Sequence, residues 1–193
     1  MPQLMPPPVP LSKIGRAAHD VGLAGLLGGN LFGRLALHPS VTEISDPAER
    51  GKVVNAAWRR YGTIQTLSLA AVTVGWLGAR ADEAAGYRLG DREKRLAQAR
   101  DVLLGAVTAT GLATALEGVR FSKLAPEGGV PLSDGDHAAP SANAKQTAAK
   151  RRLNALGLAT LVSEVALVGV NAAFSQESFR RPPAKRFFMT RLR

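Results

Sequence analysis

The stretch Leu153–Gln176, LNALGLATLVSEVALVGVNAAFSQ, carries one ionisable side chain, Glu164, at its midpoint. A helix needs about 20 predominantly apolar residues to cross the hydrocarbon core of a bilayer. This run of 24 residues is long enough. A carboxyl in the middle of such a span is costly and by default marks a functional site. The fold therefore depends on whether the rest of the chain repeats the pattern.

It does, unevenly. Tyr61–Ala79 holds 19 residues without a charge. Trp58, Tyr61 and Trp76 lie near its ends, where aromatic belts place such rings. Val102–Leu116 is uncharged between Asp101 and Glu117, and Ala97 and Ala99 extend it if Arg100 snorkels. Ala17–Leu37 is the least regular span, with Asp20 before its uncharged core, Val21–Gly33, and Arg34 after it. A basic start and a short apolar run also describe a signal peptide, but Asn30 and Arg34 interrupt the run and no small-residue cleavage site follows. The predicted fold is all-α: an integral membrane four-helix bundle with a disordered N-terminal arm, a long third loop and a basic C-terminal tail.

The segments divide as follows. Residues 1–16 form a proline-rich arm. Residues 17–124 hold spans one to three and their connections. Residues 125–150, rich in Gly, Pro, Ser, Asp and Ala, read as a flexible linker. Residues 151–176 are the fourth span and 177–193 the basic tail. His38-Pro39 predicts the end of the first helix, because the residue before a proline is biased out of the helical region. Asp46-Pro47-Ala48-Glu49 predicts a helix start, with Asp46 capping and Glu49 bonding back to the cap.

Composition narrows the function. An apolar fraction of 46% falls in the globular range, so the clustering of charges between the spans is the informative feature. The chain has no cysteine, which excludes disulfides, thiolate metal sites and thiol redox chemistry. Aromatics are 5%, too few for base-stacking platforms. The net charge of +10 calls for an anionic partner. Because the basic residues flank apolar spans, that partner reads as a bilayer with anionic headgroups and not as nucleic acid. In the tail, Arg180, Arg181, Lys185, Arg186, Arg191 and Arg193 stand beside Phe179, Phe187 and Phe188, a headgroup-binding composition. The abundance of Ala, Gly and Arg points to a bacterial inner, or cytoplasmic, membrane. Segments on the side of the termini hold 14 Lys and Arg against 11 on the other, which places both termini in the cytoplasm.

At about 100° per residue, Gly157, Thr160 and Asn171 share a face with Glu164. On the first span Asn30 and Arg34 share another. With the first and fourth spans antiparallel, Asn30 comes to the depth of Glu164 and Arg34 lies about one turn further out. A Glu164–Asn30 hydrogen bond or a Glu164–Arg34 pair follows from that geometry, and Gln65 on the second span is a further candidate. These five residues, Glu164, Asn30, Arg34, Asn171 and Gln65, are the predicted polar core or ligand-binding set. The stripes Gly25/Gly29/Gly33 and Ala71/Gly75/Ala79 allow close helix approach, either within the chain or to a homodimer or membrane-protein partner. His19 and His38 are about 28 Å apart along one helix and cannot share a metal. No metal-ligand spacing, phosphate loop or nucleophile elbow is present, and no cofactor is expected.

Leu31-Phe32-Gly33-Arg34, His38-Pro39-Ser40, Asp46-Pro47-Ala48-Glu49-Arg50-Gly51 and Gly169-Val170-Asn171-Ala172-Ala173 give the chain a resemblance to small bacterial four-span membrane proteins. It distantly resembles the anthrone-oxygenase-like family, whose members also have four spans. That resemblance implies a cofactor-free oxygenase or an orphan relative and transfers no catalytic residue. It also resembles small multidrug transporters in pairing four helices with a membrane glutamate, although theirs lies in the first helix. Three function classes are thus set out: a non-enzymatic membrane scaffold or accessory protein, a membrane-embedded ligand binder or oxygenase-like enzyme using Glu164, and a soluble basic nucleic-acid-binding helical protein.

Overall fold

The computed structural model describes residues 11–81, 89–125 and 128–179. Helix α1 spans Leu11–Phe32, α2 is the single turn His38–Ser40, α3 spans Pro47–Ala81, α4 spans Asp91–Ser122 and α5 spans Ala144–Phe179. Among the described residues there is no strand, only one isolated bridge between Leu132 and Ala138. The four long helices run alternately up and down. α1 packs along α3 and α4 along α5, and the two pairs meet through α1 against α5 and α3 against α4.

Glycine sets the first pair. A Cβ on Gly29 would overlap the Tyr61 ring, and one on Gly33 would overlap the Trp58 indole. Gly22 and Gly25 face Ser68, and Gly15 faces Gly75 backbone to backbone. The stripe Gly25/Gly29/Gly33 is therefore taken up by this chain's own α3, where large rings cross a helix that carries no side chain at the crossing. Tyr61 closes the contact by donating its hydroxyl to the Gly25 carbonyl at 2.7 Å.

Pro39 does not end the first helix at His38 as expected. The chain passes through a π-helical turn at Gly33–Leu37, then α2, then a 3-10 turn at Val41–Glu43, and becomes extended at Ile44. Proline lacks an N–H and crowds the carbonyl four residues back, and a π turn widens the helix ahead of it. The predicted start of α3 is present: Asp46 accepts the Ala48 N–H at 2.9 Å. Glu49 does not bond back to this cap; its carboxylate takes Lys52 instead.

The stretch read as a flexible linker folds against the bundle. Val130 and Leu132 are fully buried, packed with Val41, Val54, Phe121 and Ala149. Gly128 turns the chain with φ 93°, and Gly129 and Val130 press on Gly51 and Lys52 so closely that Gly51 has no room for a Cβ. Backbone bonds from Leu132 to the Pro47 carbonyl and from Gly135 to the His38 carbonyl stitch the loop down. Helix α5 begins inside the expected linker, at Ala144, because Asn143 and Gln146 form a reciprocal capping box at 3.0 and 2.9 Å. The N-terminal arm was expected to reach residue 16, but α1 is helical from Leu11; residues 1–10 lie outside the described residues, as does the tail from residue 180.

Two of the helices, α4 and α5 (the latter over Ala144–Glu177), are long and apolar enough to cross a membrane, by length and composition. Only 17% of the apolar window of each is buried. The Tyr61–Ala79 span, expected to be the cleanest, sits in α3, which falls outside this pair. Ser68, Thr63, Thr66, Thr73 and Gln65 dilute it without introducing a charge.

Candidate functional site

A seam of polar contacts runs between α1 and α5. Near one end Asn171 donates to Asp20 at 2.9 Å. In the middle the Asn30 amide donates to both oxygens of Glu164, at 2.8 and 3.0 Å. At the other end Arg34 donates to the Asn154 carbonyl at 2.9 Å, and its guanidinium lies beside Gly157. The pairs advance along α1 as they retreat along α5, the signature of antiparallel helices. Glu164 is fully buried. One turn away Thr160 reaches across to Thr114 on α4 at 3.1 Å.

The structure thus brings Glu164 and Asn30 together and places Asn171 in the same seam. Arg34 does not pair with Glu164, because the ordered loop supplies it with a nearer carboxylate, Asp136, at 3.6 Å. Gln65 is half-buried and forms no hydrogen bond with Glu164. Arg180, Arg181, Lys185, Arg186, Arg191 and Arg193 lie outside the described residues.

Two clusters escaped the sequence reading, and each is built on a histidine of α1 or its continuation. His38 Nε2 accepts the Trp58 indole N–H at 3.1 Å. Trp is a donor only, so His38 is neutral there and carries its proton on Nδ1, which donates to Asp136 at 3.0 Å. Burial holds the His38 pKa below its ordinary value, against the pull of Asp136. Lys150, in the basic first turns of α5 ahead of the apolar run, is buried and donates to the Gly135 carbonyl. Burial pushes its pKa down to about 8, opposed by Asp136 and Asp134. Asn154 also donates to the Asp136 carbonyl. Together these contacts clasp the loop onto the ends of α1, α3 and α5. An open groove of about 320 Å³ lies beside the clasp, lined by His38, Pro39, Thr42, Asp134, Asp136 and His137.

The second cluster sits at the opposite end. His19 is buried, and its Nδ1 donates to the Val72 carbonyl at 2.7 Å. Its Nε2 accepts from Arg100 at 3.2 Å; arginine only donates, so this imidazole is also the Nδ1-protonated neutral form. Arg100 lies over the Trp76 ring with its guanidinium carbon 3.8 Å from the ring centroid, and Phe174 flanks it at 5.3 Å. Trp76 donates to Asp101 at 2.7 Å, and Arg80 grips the same carboxylate at 2.9 Å.

Sequence gave one signal for these clusters, the aromatic residues at span ends. The partners are 20 to 98 positions apart and no local spacing joins them. Among the described residues no group of three or more His, Asp or Glu side chains is placed to hold a metal ion. Neither described cavity is lined by Glu164 or Asn30. Compared with protein-family models, with curated proteins and with solved structures, the chain has no match.

Proposed function

We propose that this chain is a four-span membrane protein with a scaffold or accessory role, its helices held in register by the α1–α5 seam. The observation that carries the reading is the exposure of apolar surface on the two most apolar helices. A core helix of a water-soluble protein is mostly buried, whereas α4 and α5 bury 17% of their apolar windows. Leu112, Leu116 and Val119 on α4 and Leu158, Val162 and Val165 on α5 stand more than half exposed. Val21 and Phe32 on α1, Leu35 in the π-helical turn that follows it, and Ile64, Leu67, Val74 and Leu77 on α3 continue the band. A contiguous apolar girdle of this kind is what lipid covers.

The ends of the girdle support the same reading. His19 and His38 mark two polar layers about 28 Å apart along the helix, close to the hydrocarbon thickness of a bilayer. Trp76 and Trp58 fall in those layers, at the depth of interfacial aromatic belts. Between the layers, Glu164 accepts from Asn30 of α1, and Thr160 of the same α5 bonds Thr114 of α4. Intramembrane polar groups that pair in this way fix register and orientation between helices. With both carboxylate oxygens of Glu164 engaged and the residue fully buried, the contact fits a lock between helices better than a reacting centre.

The proposed setting is a bacterial cytoplasmic membrane with both termini inside, a reading that rests on composition and on the Lys and Arg count of the segments between spans. Fractionation tests the first half: the protein stays in the pellet after alkaline carbonate and leaves it only with detergent. Recovery as a monomer in buffer without detergent overturns the proposal. Orientation is tested with one introduced cysteine, since the chain has none of its own. Ser45→Cys, in the exposed turn before α3, is labelled by an impermeant maleimide added from outside.

A further inference from the structure

Helix α3 carries two arginines inside the apolar girdle. Its register against α1 is fixed by the glycine contacts: Tyr61 fills the space at Gly29 and Trp58 the space at Gly33. Arg59 and Arg60 therefore stand level with the stretch of α1 from Asn30 to Phe32. That is also the level of the Asn30–Glu164 bond. At 1.5 Å per residue it lies within about 5 Å of the midplane between the His19 and His38 layers, and about 9–12 Å short of the His38 layer. Both arginines are exposed. Among the described residues neither makes a hydrogen bond or an ion pair. Side chains on a helix lean towards its N-terminus, here towards the His38 layer, so the long arginine stems narrow that gap. Their Cα atoms nevertheless stay near the midplane. A charged side chain at such a depth is costly, and as a rule it faces a protein interior or pairs with another charge.

The missing element is a carboxylate. Among the described residues Glu164 is the one carboxylate at this level, and it is fully buried and held by Asn30. A second copy of the chain packed face to face would bring two more arginines and no acid. Below Arg60, the residues Ile64, Leu67 and Val74 follow at intervals of four, three and seven along one side of α3, each more than half exposed. That spacing makes a seam onto which another helix packs. Resting on the membrane reading above, we infer that the outer face of α3 docks a transmembrane helix of a different protein that carries an Asp or Glu at mid-span. Arg59 and Arg60 are the charge partners of that carboxylate, and Ile64, Leu67 and Val74 form the apolar seam beneath it. The pairing sets the depth and register of the partner helix, as the Asn30–Glu164 bond sets those of α1 and α5.

The test uses the full chain, labelled with a donor dye at Ser45→Cys and reconstituted in phosphatidylcholine vesicles. The probes are two acceptor-labelled synthetic transmembrane peptides of about 20 Leu and Ala residues, one with Asp at its centre and one with Leu there. The expected result is energy transfer to the Asp peptide with an affinity about tenfold above that for the Leu peptide. Arg59→Gln combined with Arg60→Gln should erase the preference, and because both side chains are exposed the fold is retained. Equal association of the two peptides with the wild-type chain overturns the inference. So does a preference that survives in the double variant. If anionic headgroups serve the arginines instead, the wild-type chain enriches spin-labelled phosphatidylglycerol relative to the double variant and shows no preference for Asp, which also overturns it. Alkaline carbonate extraction of the same vesicles separates the two levels of failure. A chain that is washed off overturns the membrane reading and this inference with it, whereas an inserted chain without the Asp preference overturns this inference alone.

Discussion

One nitrogen of Asn30 donates to both oxygens of Glu164, joining α1 to α5 across 134 positions of sequence. On its Asn171–Asp20 side the pair borders an apolar layer to which Leu26 of α1 and Leu167 of α5 both belong, each buried. It is the central rung of a seam whose outer rungs are Asn171–Asp20 and Arg34–Asn154.

Removing the donor leaves a buried carboxyl without its bond. Asn30→Ala should destabilise the folded protein by about 2 kcal/mol or more. Glu164→Ala should cost a comparable amount, and the double variant about 1 kcal/mol less than their sum. Thermal unfolding of the four proteins in one detergent measures this, and strict additivity would show that the two residues do not act as a pair.

The glycines of α1 should respond oppositely to added bulk. Gly28 has open space where a Cβ would go, so Gly28→Ala should be neutral or stabilise by up to about 1 kcal/mol through helix propensity. Gly29 faces the Tyr61 ring, so Gly29→Val should destabilise by about 1–3 kcal/mol through overpacking. Equal melting temperatures for G28A and G29V would contradict the α1–α3 contact described above.

The His38 clasp makes stability depend on pH. The folded state holds the His38 pKa below 6.5, its ordinary value, so the unfolded chain binds a proton more readily. The contribution is fully present above about pH 6.5 and is lost as pH falls through the folded value. His38→Gln should flatten this part of the profile. Trp58→Phe removes the N–H that Nε2 accepts, so the imidazole should titrate higher, and NMR of the His38 ring reads that shift directly. A ring titrating at the ordinary value in the wild-type protein would count against the clasp.

The loop over residues 128–142 should resist proteases despite its composition. Leu132 is fully buried beneath it, and Leu132→Asp would put an unpaired charge in that core. The expected result of limited proteolysis is an uncut loop in the wild-type protein and rapid cleavage in L132D. Cleavage of both at one rate would return the segment to a tether.

Much of this was legible in the sequence. Long uncharged runs gave four helices, and their spacing gave antiparallel neighbours. The 3.6-residue period put Gly157, Thr160, Glu164 and Asn171 on one face, and matched depth narrowed the α1 partner of Glu164 to Asn30 or Arg34, of which the packing selects Asn30. The start of α3 at Pro47 was written in Asp46-Pro47. The start of α5 was equally written, as Asn143 and Gln146 three residues apart, but a composition of Gly, Pro and Ser hid it.

Tertiary structure decided the rest. It took Arg34 from Glu164 and gave it to Asp136, because a loop that reads as solvated is pinned by two residues, Val130 and Leu132, with no periodicity to announce them. It turned His19 and His38 from weak signals into neutral, oriented imidazoles whose donors come from other helices. It assigned the glycine stripe of α1 to Tyr61 and Trp58 of the same chain. Periodicity along one helix fixes which residues share a face. Which face meets which depends on contacts far apart in sequence, and those form only when the helices pack.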